Sequence, residues 1–91
     1  MAFAIKVASR AVEKQLAAVP EQDRERVIAR VRALAHEPRP KGTKALAPGV
    51  LRLRVGRYRV IYKVFERDQV IMIGKVARRS EHTYKGIEEL F

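Results

Sequence analysis

The sequence predicts a small α+β domain in which an αα-hairpin packs on one face of an antiparallel sheet. Its 91 residues, 47% hydrophobic and 33% charged, suffice for a single core. Apolar residues recur at helical spacing through residues 10–36, and from residue 50 onward they alternate with polar residues. The expected element order is β-α-α-β-β-β-α, with residues 1–91 forming one domain.

The first half should contain a strand followed by two helices. Apolar residues alternate over residues 2–8, which predicts the strand. Ser9 then lies where a helix N-cap belongs, and we expect its hydroxyl to accept a first-turn N–H. A helix over residues 10–18 should stop at Pro20, which opens a second helix that ends near His36. Such a hairpin has an apolar stripe that needs another element to cover it.

The second half reads as a loop and an antiparallel meander. Residues 37–50 hold three of the four prolines and are predicted to be a loop. Gly56 supplies the positive φ of a tight turn, and a charged hairpin tip follows the next strand. A short final helix should follow Ser80, with Ile87 and Leu90 packing. The three strands are predicted over residues 50–55, 58–65 and 69–77.

The two faces of this meander should differ. Tyr58 and Tyr62 share their parity with apolar residues, so they are expected in the core rather than stacked on bases. Because the helices cover one face only, we expect the other face to stay open. The side chains expected to project from that open face are Arg52, Arg54, Arg59, Lys63 and Lys75.

Basic residues exceed acidic ones by 20 to 10, and the excess is concentrated. Residues 38–80 contain twelve Lys or Arg and only two acids. Like charges on neighbouring strands are destabilising unless an anion neutralises them, and the arginine fork suits phosphate. A polyanion is therefore the expected partner, nucleic acid first and an acidic protein second. Taken alone, Arg52 and Arg54 could also be exposed strand residues that discourage edge pairing.

Several classes of protein are excluded or not expected. The absence of cysteine excludes a disulfide scaffold and a thiol nucleophile, and two histidines are too few for a His-rich metal site. No metal or other cofactor is expected. The chain has no apolar run near the ~20 residues of a membrane span and no secretory signal, so we expect a cytoplasmic protein. It also lacks a phosphate-binding loop, a dinucleotide fingerprint, a zinc-protease motif and a nucleophile elbow.

The basic strands resemble a known family. The run LRLRVGRYRVIYKV at residues 51–64, the later strand IMIGKVARR and SEHTY at residues 80–84 are similar to the RelE/ParE superfamily of bacterial type II toxin–antitoxin toxins. The likeness covers nearly the whole chain and implies a microbial RNase-type fold. For the RelE branch it implies metal-independent cleavage of mRNA on the ribosome, by attack of the 2′-hydroxyl on the adjacent phosphate. It also implies a cognate antitoxin and a toxin–antitoxin hetero-oligomer.

The resemblance also implies the site residues. The implied catalytic residues are Arg52, Arg54, Arg59, Arg78 and Tyr84. The further substrate-binding candidates are Lys44, Lys63, Lys75, Arg79 and His82, where Arg79 is the alternative to Arg78 within one residue of register.

One position departs from the family pattern. RelE-type sites commonly have lysines where this chain has Arg52 and Arg54, and arginine does not release a proton near neutral pH. The general base is therefore left open among His82, Tyr84 and the three lysines of the site.

Two other functions remain open on the same fold. A ParE-like inhibitor of DNA gyrase would be a binding protein rather than an enzyme. A non-catalytic nucleic-acid-binding module would need only the charge excess. ParE-type members generally lack the terminal Arg/Tyr arrangement of this chain, so the resemblance favours mRNA cleavage.

Overall fold

The computed structural model describes residues 2–79 and 87–91. Its elements are β1 (Ala4–Val7), α1 (Arg10–Ala17), α2 (Glu21–Ala33), β2 (Thr43–Ala47), β3 (Val50–Val55), β4 (Tyr58–Phe65), β5 (Val70–Arg78) and a single 3₁₀ turn at Ile87–Leu90. Five strands form one sheet in the order β1-β5-β4-β3-β2. The predicted α+β class and helical hairpin are confirmed. In the described part of the chain, no helix is long and apolar enough to cross a membrane.

The sheet is mixed rather than wholly antiparallel. Strands β2 to β5 form the meander, whereas β1 runs parallel to β5, with Ala4 opposite Val70 and Val7 opposite Ile73. The prediction of a loop throughout residues 37–50 is wrong, because β2 lies within it. The five residues of β2, TKALA, offer almost no alternating pattern, and prolines flank them. This strand forms through its pairing with β3, which the local sequence does not show.

Pro20 separates the helices as predicted, and its carbonyl accepts the Arg24 N–H at 2.8 Å. Ser9 is the N-cap residue of α1 and has the expected extended backbone. Its hydroxyl, however, makes no capping hydrogen bond to any described residue, so that predicted contact is wrong. The Ser9 carbonyl instead accepts the Val12 N–H at 3.2 Å, which closes the first turn through the backbone.

The main core lies between the helical hairpin and the sheet. The predicted core positions of Tyr58 and Tyr62 are confirmed, since they are 6% and 0% exposed. Dense apolar packing of this kind is the main stabilising contribution in a domain of this size. The largest fully buried side chains are Tyr62, Leu34, Leu53, Ile71, Val12, Val27 and Val60.

Tyr62 also fastens the loop after α2 to the sheet. Its hydroxyl donates a hydrogen bond of 2.5 Å to the Pro38 carbonyl. Burial raises the pKa of Tyr62 from 10.0 to about 12, and the nearby positive charge of Arg39 opposes part of that rise. Ionisation of this phenol would place a charge in the core and remove the donated hydrogen bond.

Stability is therefore expected to fall at high pH through Tyr62. The folded state binds this proton more tightly than the unfolded chain, whose tyrosine pKa is near 10. The stabilisation is complete below pH ~10 and is lost as the pH rises towards ~12, by on the order of 2–3 kcal/mol. Urea unfolding at pH 8 to 12 would measure this for the natural chain and for Tyr62→Phe. A variant with the same loss as the natural chain would contradict the assignment.

The second face of the sheet is only partly open, so the expectation of a fully open face is wrong. Ile87, Leu90 and Phe91 pack there on Val50 and Ile61. The expected packing of Ile87 and Leu90 is confirmed, and within the described residues their helix is one 3₁₀ turn. Val50 and Ile61 are apolar residues of this face, and burying them is favourable.

A glycine in β5 makes room for the Phe91 ring on this face of the sheet. Ile61 lies opposite Lys75 and Tyr62 opposite Ile73, so Gly74 is the extra residue of a β-bulge. A Cβ added to Gly74 would lie 2.6 Å from Cε1 and Cζ of Phe91. The missing side chain therefore allows the Phe91 ring to rest on the strand.

Candidate nucleic-acid interface

Basic side chains of four strands share the second face of the sheet, because residues opposite each other in a ladder lie on the same face. One row across the sheet runs through Lys44, Arg52, Ile61 and Lys75, and the next runs through Arg54, Arg59 and Ala77. A third row contains Lys63. We call the surface formed by Lys44, Arg52, Arg54, Arg59, Lys63 and Lys75 the arginine face.

Arg54 and Arg59 lie directly opposite each other at one end of this face. The Gly56-Arg57 turn, where Gly56 has φ +56°, joins their strands and fixes the register. Arg54 is exposed, but Arg59 is only 7% exposed, contrary to the expected free projection. Arg59 belongs to a central strand and has cross-strand neighbours on both sides, Arg54 and Ala77. This environment restricts the conformations of its guanidinium, whereas Arg54 can meet a ligand from solvent.

The row of Arg52 and Lys75 surrounds an apolar centre. Both are half-buried and lie on either side of Ile61, on which Ile87 packs. Lys44 is exposed and lies opposite Arg52 at the outer strand. The cations of this row therefore border the apolar cluster formed by Ile87, Leu90 and Phe91 and form a basic rim beside it.

Lys63 is separate from this cluster. Its Nζ lies 5.2 Å from the centroid of the Phe65 ring, a cation–π contact directed towards the far end of β4. Four residues of strand, about 13 Å, separate it from Arg59. The structure therefore groups Arg52, Arg54, Arg59, Lys44 and Lys75, and it leaves Lys63 at the opposite end.

The bulge at Gly74 decides where the last two arginines lie. Arg78 is opposite Tyr58, a core residue, so its side chain starts on the helix side of the sheet. The Arg79 N–H donates a 2.6 Å hydrogen bond to the Arg57 carbonyl, which continues the ladder by one residue. The Arg79 side chain therefore starts on the same side of the sheet as Arg59. The sequence left open whether Arg78 or Arg79 lies on the arginine face, and the structure puts Arg79 on that side.

Two basic residues near this end were not singled out from the sequence. Arg57 is exposed in the tight turn between Arg54 and Arg59, where its position in the turn could have indicated it. Arg26 of α2 brings Nη1 to 3.3 Å from the place where a Cβ of Gly56 would lie. No local signal connects α2 with this turn, because the contact joins residues 30 apart in the chain.

The negative charges of the same chain segment lie elsewhere. Within residues 38–79 the acids are Glu66 and Asp68, both in the β4–β5 turn at the opposite end of the sheet. There Glu66 forms a 2.8 Å ion pair with Arg39, between side chains that are 58% and 51% exposed. The end of the sheet near Arg54 and Arg59 therefore holds basic residues of this segment and neither of its acids, an arrangement suited to a polyanion.

His82 and Tyr84 lie outside the described residues, so their roles stay predictions. No three His, Asp or Glu side chains group together as metal ligands within residues 2–79 and 87–91. The arrangement can bind phosphate oxygens at several points and can stabilise added negative charge on them.

Comparisons with known proteins agree with this architecture. Residues 6–83 match the family model of the ParE toxin of type II toxin–antitoxin systems. A chain of the archaeal RelE–RelB complex from Pyrococcus horikoshii is 30% identical, with a TM-score of 0.76 over 89% of this chain and 99% of that one. No curated protein sequence matches significantly.

More distant solved structures share the fold. A mutant of the E. coli toxin RelE in the free state has a TM-score of 0.78 at 21% identity, with both chains covered completely. A chain of the RelBE toxin–antitoxin complex from Mycobacterium tuberculosis has a TM-score of 0.74 at 20% identity, over 87% of this chain and 100% of that one. At these identities the likeness concerns the fold alone.

Proposed function

Because this chain belongs to the RelE/ParE superfamily of toxins from type II toxin–antitoxin systems, we propose that it cleaves mRNA on the ribosome and so inhibits translation. The observation that carries the proposal is the cross-strand pair Arg54 and Arg59, with Arg52 in the neighbouring row. Strands of one sheet fix the spacing of these cations before substrate binds. Such preorganisation is what stabilises charge that develops in a transition state.

The positive charges of Arg54 and Arg59 favour a reaction in which negative charge develops on a phosphate group. The 2′-hydroxyl oxygen of one nucleotide attacks the adjacent phosphorus, and the bond from phosphorus to the 5′-oxygen of the next nucleotide breaks. The products are a 2′,3′-cyclic phosphate and a free 5′-hydroxyl. The transition state carries extra negative charge on its non-bridging oxygens, which Arg54 and Arg59 would bind.

A proton leaves the 2′-hydroxyl, and another reaches the departing 5′-oxygen. The arginines stay protonated near neutral pH, so the proton acceptor is a different group. Lys44 and Lys75 share a row with Arg52 and are better placed for this role than Lys63. His82 and Tyr84 are the other candidates.

The same face is suited to an inhibitory protein partner. Solved relatives include complexes of RelE with RelB and of a RelBE pair, which supports a cognate antitoxin for this chain. An acidic segment would neutralise the arginine face and compete with mRNA for it. It would also raise the stability of this small domain by mass action, within a cytoplasmic hetero-oligomer.

Primer extension on mRNA from cells that briefly express the chain tests the enzyme proposal. We expect new cuts confined to translated regions, and about 10–100-fold fewer with Arg54→Ala, which removes one charged hydrogen-bond donor. Arg67→Ala is the matched control, because it removes an exposed arginine at the far end of the sheet. Cuts in untranslated RNA, or equal cutting by the Arg54→Ala variant, would contradict the proposal.

A gyrase inhibitor is the second candidate, because the family model that matches the chain is that of ParE toxins. DNA breaks with intact mRNA after expression would support it. A non-catalytic binding module would give neither result. It would bind nucleic acid with a steep salt dependence and leave no cleavage product.

A further inference from the structure

The outer edge of β5 changes partner halfway along the strand. β1 pairs with β5 only as far as Ile73, whose carbonyl accepts the Ala8 N–H at 2.8 Å. Beyond the bulge, the Val76 N–H donates a 2.8 Å hydrogen bond to Oε1 of Gln15 from α1. In the described part of the chain, a side chain therefore takes the place of the next strand at this point.

The direction of the neighbouring backbone groups follows from the ladder. The Arg79 N–H donates to the carbonyl of Arg57, the residue just before β4. Alternate residues of a strand direct their backbone groups to opposite sides, so the backbone N–H and carbonyl groups of Val76 and Arg78 are directed away from β4. The Val76 carbonyl and the Arg78 N–H lie next to each other on this edge. Among residues 2–79 and 87–91, neither group has a hydrogen-bond partner.

This edge forms one wall of a cavity of about 320 Å³. Ala18 and Val19 at the end of α1 form an apolar wall, and Tyr58 lies beside it. Gln15 and the β5 residues 75–78 supply the polar side. The volume is at the lower end of the range for small-molecule sites. The cavity adjoins Arg78 and lies at the same end of the sheet as Arg57 and Arg79.

We propose that this cavity binds the edge of a nucleobase that has a hydrogen-bond donor beside an acceptor, as adenine has in its amino group and N1. The amino N–H would donate to the Val76 carbonyl, and N1 would accept from the Arg78 N–H. The contact requires this donor and acceptor pair and not one particular base, since other bases can present such a pair after turning over. The proposal rests on the proposed function, since it adds base recognition beside the RNA phosphates of the arginine face.

A peptide strand is the competing occupant of an unpaired strand edge. Strand addition uses backbone groups over several residues, but here Gln15 already occupies the Val76 N–H. The Val76 carbonyl and the Arg78 N–H remain beside each other, and they match the donor and acceptor of one base edge. The arginines at this end of the sheet favour an anionic occupant, and a nucleotide supplies a phosphate.

Titration of the isotope-labelled chain with mononucleotides tests the proposal without ribosomes. AMP should shift the amide resonances of Val76 and Arg78. Purine riboside 5′-monophosphate, which has the same ring without the amino group, should bind at least about tenfold more weakly, as expected for loss of one bidentate base contact. Ala18→Leu fills the cavity and should abolish the shifts. Ala17→Leu adds the same side chain to an exposed position of α1 outside the cavity and should preserve them.

Three results would overturn this inference. One is equal binding of AMP and purine riboside 5′-monophosphate, and another is unchanged binding by Ala18→Leu. The third is a set of shifts at Val76 and Arg78 with an acidic peptide and none with nucleotides, which would identify a strand-addition site. Since mRNA cleavage is measured separately, equal binding of these two nucleotides with cleavage intact refutes this site alone.

Discussion

Replacement of Arg59 by alanine is expected to lower the rate of mRNA cleavage by about 10²–10³-fold, the usual loss for one preorganised oxyanion-type donor. Arg59 is 7% exposed on a central strand, opposite Arg54. Its charge therefore acts in a medium of lower dielectric than water and needs little reorganisation as the reaction proceeds. Single-turnover cleavage of an mRNA bound to purified ribosomes gives this rate directly.

Two further variants separate a catalytic loss from a folding loss. Arg59→Lys keeps the charge but not the planar fork, so it should have intermediate activity. Arg67→Ala should cleave at the natural rate. Thermal unfolding should show each variant to be folded at the assay temperature. A folded Arg59→Ala protein with the natural rate would refute the role of Arg59 in the site.

Gly74→Ala is expected to lower the free energy of unfolding by about 1–3 kcal/mol, the usual cost of overpacking. The added methyl would lie 2.6 Å from two carbons of the Phe91 ring and 3.0 Å from Cβ of Leu90. Either the ring or the strand has to move. Urea unfolding of the two proteins measures the difference, with the slope checked for a change in exposed surface.

A double-mutant cycle with Phe91→Ala provides the control. Without the ring, the Gly74→Ala change should destabilise the protein less, because only the 3.0 Å approach to Cβ of Leu90 remains and alanine loses less backbone entropy than glycine in a strand. The size of the effect should therefore depend on Phe91. Equal destabilisation in both backgrounds would contradict the contact.

Local patterns were enough for most of the fold and for the sharing of one face by Arg52, Arg54 and Arg59. Period-2 alternation and the Gly56 turn act within a few residues, so the sequence displays them. β2 was missed because TKALA has almost no pattern of its own and pairs with β3. The burial of Arg59 was missed because it depends on neighbours contributed by two other strands.

The bulge explains why the sequence left Arg78 and Arg79 unresolved. Simple alternation from Ile71 and Ile73 would put Arg78 on the arginine face. The extra residue Gly74 reverses the alternation of the side chains that follow it in β5. The Arg78 side chain therefore starts on the helix side of the sheet, and the Arg79 side chain starts on the side of the arginine face. A glycine within an apolar strand is compatible with a bulge, but its register depends on contacts with β4 and Phe91.

The pairing of β1 with β5 has a consequence for how the chain is made. Ala4 lies opposite Val70, so β1 has no strand partner until β5 has been synthesised. Contacts of such high sequence separation slow folding, and the apolar side of the helical hairpin stays uncovered meanwhile. β5 also lies between β1 and β4 and anchors Gln15. A protein proposed to attack translating ribosomes therefore completes its own sheet only after β5 has been translated.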